Sequence, residues 1–300
     1  MLSAYSHPSC GAVIYYTKHE LANMVIWSRR LGLEKESSGL LQKCRLVRPS
    51  CGVMTKEDFC AKWGREGPVH VVFCGLSFET KGGACALASF ERILKGSVAI
   101  HLTYVGDIPR QWQQKYKTAL RRIDHYSRLA RREVLSLLAT AHILFHPAAS
   151  ESYGMVLVEA AASGMAIVAA RRRRLALSRE FLAPSGGPLL DENKVSTREE
   201  ACWFGDSIIR LASDWNQCRR MAWRNWRKTT NGQFSKQYRD QVISKIVSRS
   251  VRQRSAPILS LAELSGRERV QIIQVSSKRL GEQRRRYREK VGLVDRSIVI

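Results

Sequence analysis

No apolar run in this 300-residue chain approaches the roughly 20 residues that a membrane-spanning helix needs; the stretches 69–75 and 141–145 are strand-length. The first eight residues, Met1 to Pro8, lack the basic-then-apolar layout of a signal peptide. There is no G-x-S-x-G, no Walker A loop and no G-x-G-x-x-G fingerprint. The eight cysteines, Cys10, Cys44, Cys51, Cys60, Cys74, Cys85, Cys202 and Cys218, include no C-x-x-C pair. They read as reduced thiols, several of them buried, rather than as disulfides or a zinc site. Seven histidines show no metal spacing; His142 and His146 are four apart, but on a strand-like segment that holds them far apart on one face. Acidic residues are scarce. Against 50 Lys and Arg stand 26 Asp and Glu, a net charge of +24, which draws the chain to anionic partners without saying whether they are nucleic acid, lipid headgroups or phosphorylated ligands.

With 44% hydrophobic and 25% charged residues, the composition is that of a soluble globular protein. From about residue 67, short β-rich runs alternate with helical stretches. Strands are predicted at Val69–Cys74, 98–105, 142–145, 165–169 and, more weakly, 188–190. Helices are predicted at Gly83–Leu94, 110–122, 129–140 and 156–162, and two amphipathic ones follow at 197–212 and 215–228. The first and third strands are almost wholly apolar, as strands covered on both faces are. Such alternation is the pattern of a doubly wound, Rossmann-like parallel α/β sheet. Upstream, Lys18–Arg30 reads as a helix and 48–52 as a turn or linker. A further helix runs to about residue 250.

Chemistry concentrates between Pro147 and Gly164. A strand ends at Phe145, a turn follows, and a helix runs to about Ser163. That puts the backbone amides of Ser152, Tyr153, Gly154 and Met155 at a helix N-terminus, a ready place for phosphate or pyrophosphate. Glu159 sits near the second helical turn, between the apolar triplets 156–158 and 160–162. A carboxylate in such a run needs a partner, and it can accept hydrogen bonds from a vicinal diol such as that of ribose. Glu151, ahead of the helix, faces the same crevice at the carboxyl edge of the sheet.

These residues resemble a known family. Glu151-x7-Glu159, with Pro147 before it and Gly164 after, resembles the E-x7-E signature of retaining GT-B glycosyltransferases of the family 4 (group 1) type. Val72-Phe-Cys-Gly75 running into Lys81-Gly82-Gly83 is similar to the opening of that family's nucleotide-sugar domain, and Ile100 to Gly106 is similar to its next strand. The resemblance covers roughly residues 67–235. It implies that Lys81 contacts the donor's diphosphate, with Gly75 keeping the first loop open. It further implies that Asp124-His125-Tyr126 lies where the base is read, that Glu159 holds the ribose diol, and that Glu151 contacts and positions the transferred sugar. The implied reaction is transfer of a sugar from a nucleotide diphosphate donor with retention of configuration, without cofactor or metal.

The departures are specific. Leu76 stands where many members have Arg, so Lys81 carries that charge alone. Arg171, Arg172, Arg173 and Arg174 replace the usual Gly-Gly ahead of Pro-Glu, either supplementing the phosphate site or forming a solvated basic loop. Only about 66 residues precede the donor domain, and they resemble the end of the family's N-terminal half plus linker. The expected organisation is therefore 1–66 remnant and linker, 67–235 donor domain, and 236–300 basic crossing helix and tail. The chain reads as a fragment, as half of a two-chain enzyme, or as a degenerate member. From Asn216 onward 21 Lys and Arg face 6 Asp and Glu, densest at Arg284-Arg285-Arg286-Tyr287-Arg288. This basic end fits an anionic membrane surface that bears a lipid-linked acceptor, and the expected location is cytoplasmic, at the inner face of a membrane. The rival readings are a catalytically silent nucleotide-sugar-binding module and a basic nucleic-acid- or anionic-surface-binding protein. Trp203, Trp215, Trp223 and Trp226 read as helix packing.

Overall fold

The computed structural model describes residues 13–16, 18–33, 41–48, 50–64, 66–151, 153–170, 197–230 and 235–252. The elements, in chain order, are β1 (Val13–Tyr15), α1 (Lys18–Arg30), β2 (Cys44–Leu46), α2 (Lys56–Lys62), β3 (Val69–Cys74), α3 (Gly83–Leu94), β4 (Ile100–Val105), α4 (Arg110–Lys115), α5 (Lys117–Leu120), β5 (Asp124–Tyr126), α6 (Arg131–Thr140), β6 (Ile143–His146), α7 (Met155–Ala162), β7 (Ala166–Ala169), α8 (Thr197–Ser213), α9 (Trp215–Thr230) and α10 (Lys236–Arg252). The described residues fall into two compact units. The larger takes in Ile14–Gly32 and Arg45–Ser244; the smaller includes residues 41–44 and α10 from Lys245.

In the larger unit, five strands form one sheet in the order β5-β4-β3-β6-β7, every pair parallel. The chain winds outward from β3 through β4 to β5, returns to the far side of β3, and winds outward again through β6 to β7. This is the doubly wound Rossmann-like order, and its switch point lies between β3 and β6. Side chains alternate between two cores, as a strand's period of two requires. Val71, Phe73, Phe145 and Val168 join Phe90 of α3 and Phe204 of α8 on one face. Val72, Leu144 and Ile167 join Leu138 of α6 and Leu157 and Val158 of α7 on the other.

The core extends upstream of residue 67. Thr55 caps α2, its hydroxyl accepting from the Asp58 amide at 3.1 Å, and α2 drives Phe59 and Trp63 into the first core at 1% exposure each. Trp63 Nε1 donates to the Gly164 carbonyl at 2.9 Å, and Trp226 Nε1 donates to the Met54 carbonyl at 2.9 Å. The late tryptophans are packing residues: Trp215 packs at a tilt on Trp63 (5.0 Å) and Trp223 meets Phe59 edge-on (5.1 Å).

Differences from the sequence expectation have local causes. The helix expected over 110–122 breaks at Tyr116, which leaves helical dihedrals (φ −107°, ψ 24°) with its ring buried against Trp112. Strand β5 was not expected, since Asp-His-Tyr carries no apolar alternation; it exists by pairing with β4. The remnant carries, besides α1, two three-residue strands that pair with each other. The weak strand at 188–190 lies outside the described residues, as do Arg171 to Arg174 and the tail beyond Arg252. Among the described residues no helix is long and apolar enough to cross a membrane.

Lys62 closes α2 beneath the sheet. Its ammonium donates to the carbonyls of Leu138 (3.2 Å) and Ser163 (2.8 Å), at the ends of α6 and α7. Burial lowers its pKa to about 7. Between pH 7 and the ordinary lysine range the unfolded chain therefore holds a proton that the folded chain lacks, so this group's contribution to stability rises with pH. Measured by urea unfolding, wild type is expected to gain about 2 kcal/mol on Lys62→Met between pH 6 and pH 10. A difference that does not change with pH would refute the assignment.

Candidate functional site

Two loops leave the sheet at its switch point. The loop after β3 folds back on itself through Lys81 N–H donating to Ser77 O (2.9 Å) and Gly83 N–H to Phe78 O (2.6 Å). It is then tied to the loop after β6, since the Thr80 carbonyl accepts from the amides of Ala149 (3.0 Å) and Ser150 (3.3 Å). Lys81 and Glu151, seventy residues apart in sequence, meet across this seam, Nζ to Oε2 at 2.5 Å, with side chains 24% and 11% exposed. Gly75 makes the approach feasible: a Cβ there would stand 2.6 Å from Cβ and 2.7 Å from Cγ of Lys81.

Glu151 has a second neighbour. His146, the last residue of β6 and 1% exposed, places Nε2 3.4 Å from the same Oε2. Burial alone would raise the Glu151 pKa; the neighbouring His146 and Lys81 override it and hold the carboxyl at about 2. The carboxylate is thus anionic throughout the neutral range.

Behind Glu151, α7 begins. Its N-cap, Gly154, sits at φ +90°, a left-handed conformation that only glycine adopts cheaply. No side chain caps this helix, nor α3, which starts from the other loop. The Gly154 and Met155 amides lack partners within α7 by helix geometry, and its dipole aims positive potential at the crevice. Tyr153 packs edge-on against Tyr16 at 5.3 Å. Ser152 lies outside the described residues.

Glu159 is nearly buried (side chain 8% exposed), and Arg131, at the start of α6, meets its Oε1 at 2.6 Å. Its charge is felt in the same crevice as that of Lys81. The Cys74 thiol, at the end of β3, is pushed up to about 11 by burial and by Glu159, with Lys81 opposing. Cys51 is pushed up to about 11 likewise, by burial and Glu159, with Arg131 opposing. Its Sγ donates to the Val158 carbonyl at 3.6 Å. Glu159 and Lys81 thus both act on the Cys74 thiol at the end of β3. Asp124 and His125 are not brought to them directly. Asp124 lies on edge strand β5 and pairs with His101 Nε2 at 2.7 Å. His125 Nε2 lies 3.0 Å from the Gly106 carbonyl, and Gly106 in turn packs on Gly75. His146, Arg131 and Cys51 were not anticipated from sequence; nothing local distinguishes an Arg on an exposed helical turn or a His before a proline.

The model of the family "Glycosyl transferases group 1" matches residues 68–201, the span that carries both loops. Over residues 68–201 the chain is similar to the group 1 glycosyltransferases. Solved structures agree with this fold at low identity. The GtfA/B complex matches with TM-score 0.59 and 16% identity over 79% of this chain and 45% of that one. Sucrose-phosphate synthase from Thermosynechococcus elongatus matches with TM-score 0.55 and 18% identity, over 81% and 58%. A UDP-forming α,α-trehalose-phosphate synthase from Burkholderia vietnamiensis matches with TM-score 0.54 and 15% identity, over 81% and 61%. The chain thus spans from under half to about three-fifths of the length of these proteins. No curated protein sequence matches it. The matched segment begins just before β3 and ends in the first turn of α8, so the Lys81–Glu151 seam lies inside it.

Proposed function

We propose that this protein is a retaining glycosyltransferase that takes a nucleotide diphosphate-sugar as donor. The reading rests on one observation above the others: a lone lysine and a buried anionic glutamate meet at the switch point of a doubly wound sheet, beside two helix N-termini that no side chain caps. Lys81 leaves Glu151 for the diphosphate, serving as a point charge, and with the Gly154 and Met155 amides it stabilises negative charge on the departing group. Glu151, freed, faces the transferred sugar. Glu159 accepts from the pentose hydroxyls, a carboxylate having lone pairs enough for Arg131 and a diol together. His125 and Gly106 line the side toward the base. The exposed face of α9 carries Arg219, Arg220, Arg224 and Arg227, a basic stripe suited to an anionic membrane surface that bears the acceptor.

Calorimetry with UDP-, GDP- and ADP-glucose tests the reading. One of the three is expected to bind with a stoichiometry of about one per chain, in the micromolar range typical of enzyme substrates. Absence of nucleotide binding, together with oligonucleotide binding that falls steeply with salt, would overturn it in favour of a nucleic-acid-binding protein.

A further inference from the structure

His146 is buried at 1% exposure, and among the described residues its Nδ1 has no hydrogen-bond partner. Leaving an imidazole nitrogen buried and unused is costly. The other nitrogen approaches Glu151 Oε2 at 3.4 Å, the oxygen that Lys81 already occupies at 2.5 Å. The neighbours on each side are accounted for. Continuing the β3–β6 register by one residue sets Cys74 beside His146, and Ala169 of β7 lies opposite. Lys81 and Glu151 face it from the two loops. Glu159 of α7 stands paired with Arg131 of α6, and β7, Ala-Ile-Val-Ala, carries no ionisable group. The Lys81 ammonium and a His146 ring nitrogen thus converge on one carboxylate oxygen, and the nearer of them is the one that the donor reading sends elsewhere.

We propose that His146 is a positioning residue that takes up a proton when Lys81 leaves Glu151 for the donor's diphosphate, so that donor binding carries a proton into the site. The inference rests on the donor reading above. Before binding, Glu151 is balanced by Lys81. Afterwards the lysine charge is spent on the diphosphate, and a low-dielectric carboxylate is left without a counter-charge, an expensive state. A proton from solvent on the imidazole restores the balance. Its N–H then donates to Oε2, and Glu151 stays anionic and oriented toward the sugar. No covalent bond changes. Histidine suits the task because its ordinary titration lies near neutrality.

Two measurements test it. In the chain without ligand, Lys81→Ala mimics the departure of the lysine. NMR of labelled histidines, assigned with His146→Asn, is expected to show the His146 titration in Lys81→Ala moved to higher pH by about one unit relative to wild type; no movement, or movement to lower pH, overturns the coupling. Next, the binding heat of whichever nucleotide sugar binds is measured at pH 7 in phosphate and in Tris. Wild type is expected to take up about half a proton per donor, with affinity falling as pH rises; His146→Asn is expected to bind with uptake near zero. Equal uptake in both, or none in wild type, refutes the proposal. If the NMR shift is present but no nucleotide binds, the donor reading falls while the Lys81–Glu151–His146 coupling stands, so the two failures are told apart.

Discussion

Replacing Lys81 with alanine is expected to weaken nucleotide diphosphate binding by about two orders of magnitude. A hydrogen bond to a charged group contributes roughly 1.5–3 kcal/mol, which alone is about 10- to 150-fold. The substitution does more than remove that contact. Glu151, held near pKa 2 and mostly buried, remains anionic beside the bound phosphates with its nearest cation gone. The second effect has its own signature. Adding Glu151→Gln to Lys81→Ala removes the stranded charge and should return about tenfold of the lost affinity, a coupling that only interacting neighbours show. Calorimetric titration of the two single variants and the double variant against wild type gives the comparison. Unchanged affinity in Lys81→Ala would exclude this lysine from the site.

The second large effect is on stability. Trp63→Ala is expected to cost about 4 kcal/mol, within the range for buried aromatics, read as a lowered midpoint in urea unfolding. The side chain is 1% exposed and joins α2 to the aromatic cluster of α9, packing at a tilt against Trp215 and lying 6.3 Å from Phe59. Its indole also satisfies the Gly164 carbonyl, at the turn between α7 and β7. Trp63→Phe keeps much of the volume and loses that bond, and is expected to cost about 1–2 kcal/mol. A loss below 1 kcal/mol in Trp63→Ala would mean that the residues before 67 are not an integral part of the fold.

That boundary is where sequence reading stopped short. Val69–Cys74 and Gly83–Leu94 were legible to the residue, because an apolar run closed by glycine and an amphipathic run opened by glycine are local signals. The Thr55–Asp58 capping pair was equally local, but stood in a stretch that read as linker. Strand β5 carries no signal of its own; three exposed polar residues become a strand only because β4 offers an edge. The site divides likewise. Lys81, Glu151 and Glu159 were singled out in the sequence through motifs that resemble a family's. Arg131 and His146 act across elements, and only the β3–β6 switch point and the α6–α7 packing bring them to the two glutamates.

The Thr80 carbonyl, shared by the Ala149 and Ser150 amides, has a mechanical consequence. It rivets the turn that bears the cation to the turn that bears the acid, so under the proposed donor reading no hinge lies between the two ends of the sugar–phosphate linkage. A tug on one turn is delivered to the other at once. Discrimination between one sugar and the next must then be exercised by side chains at the rim of the crevice, which can vary while this jaw keeps its gape.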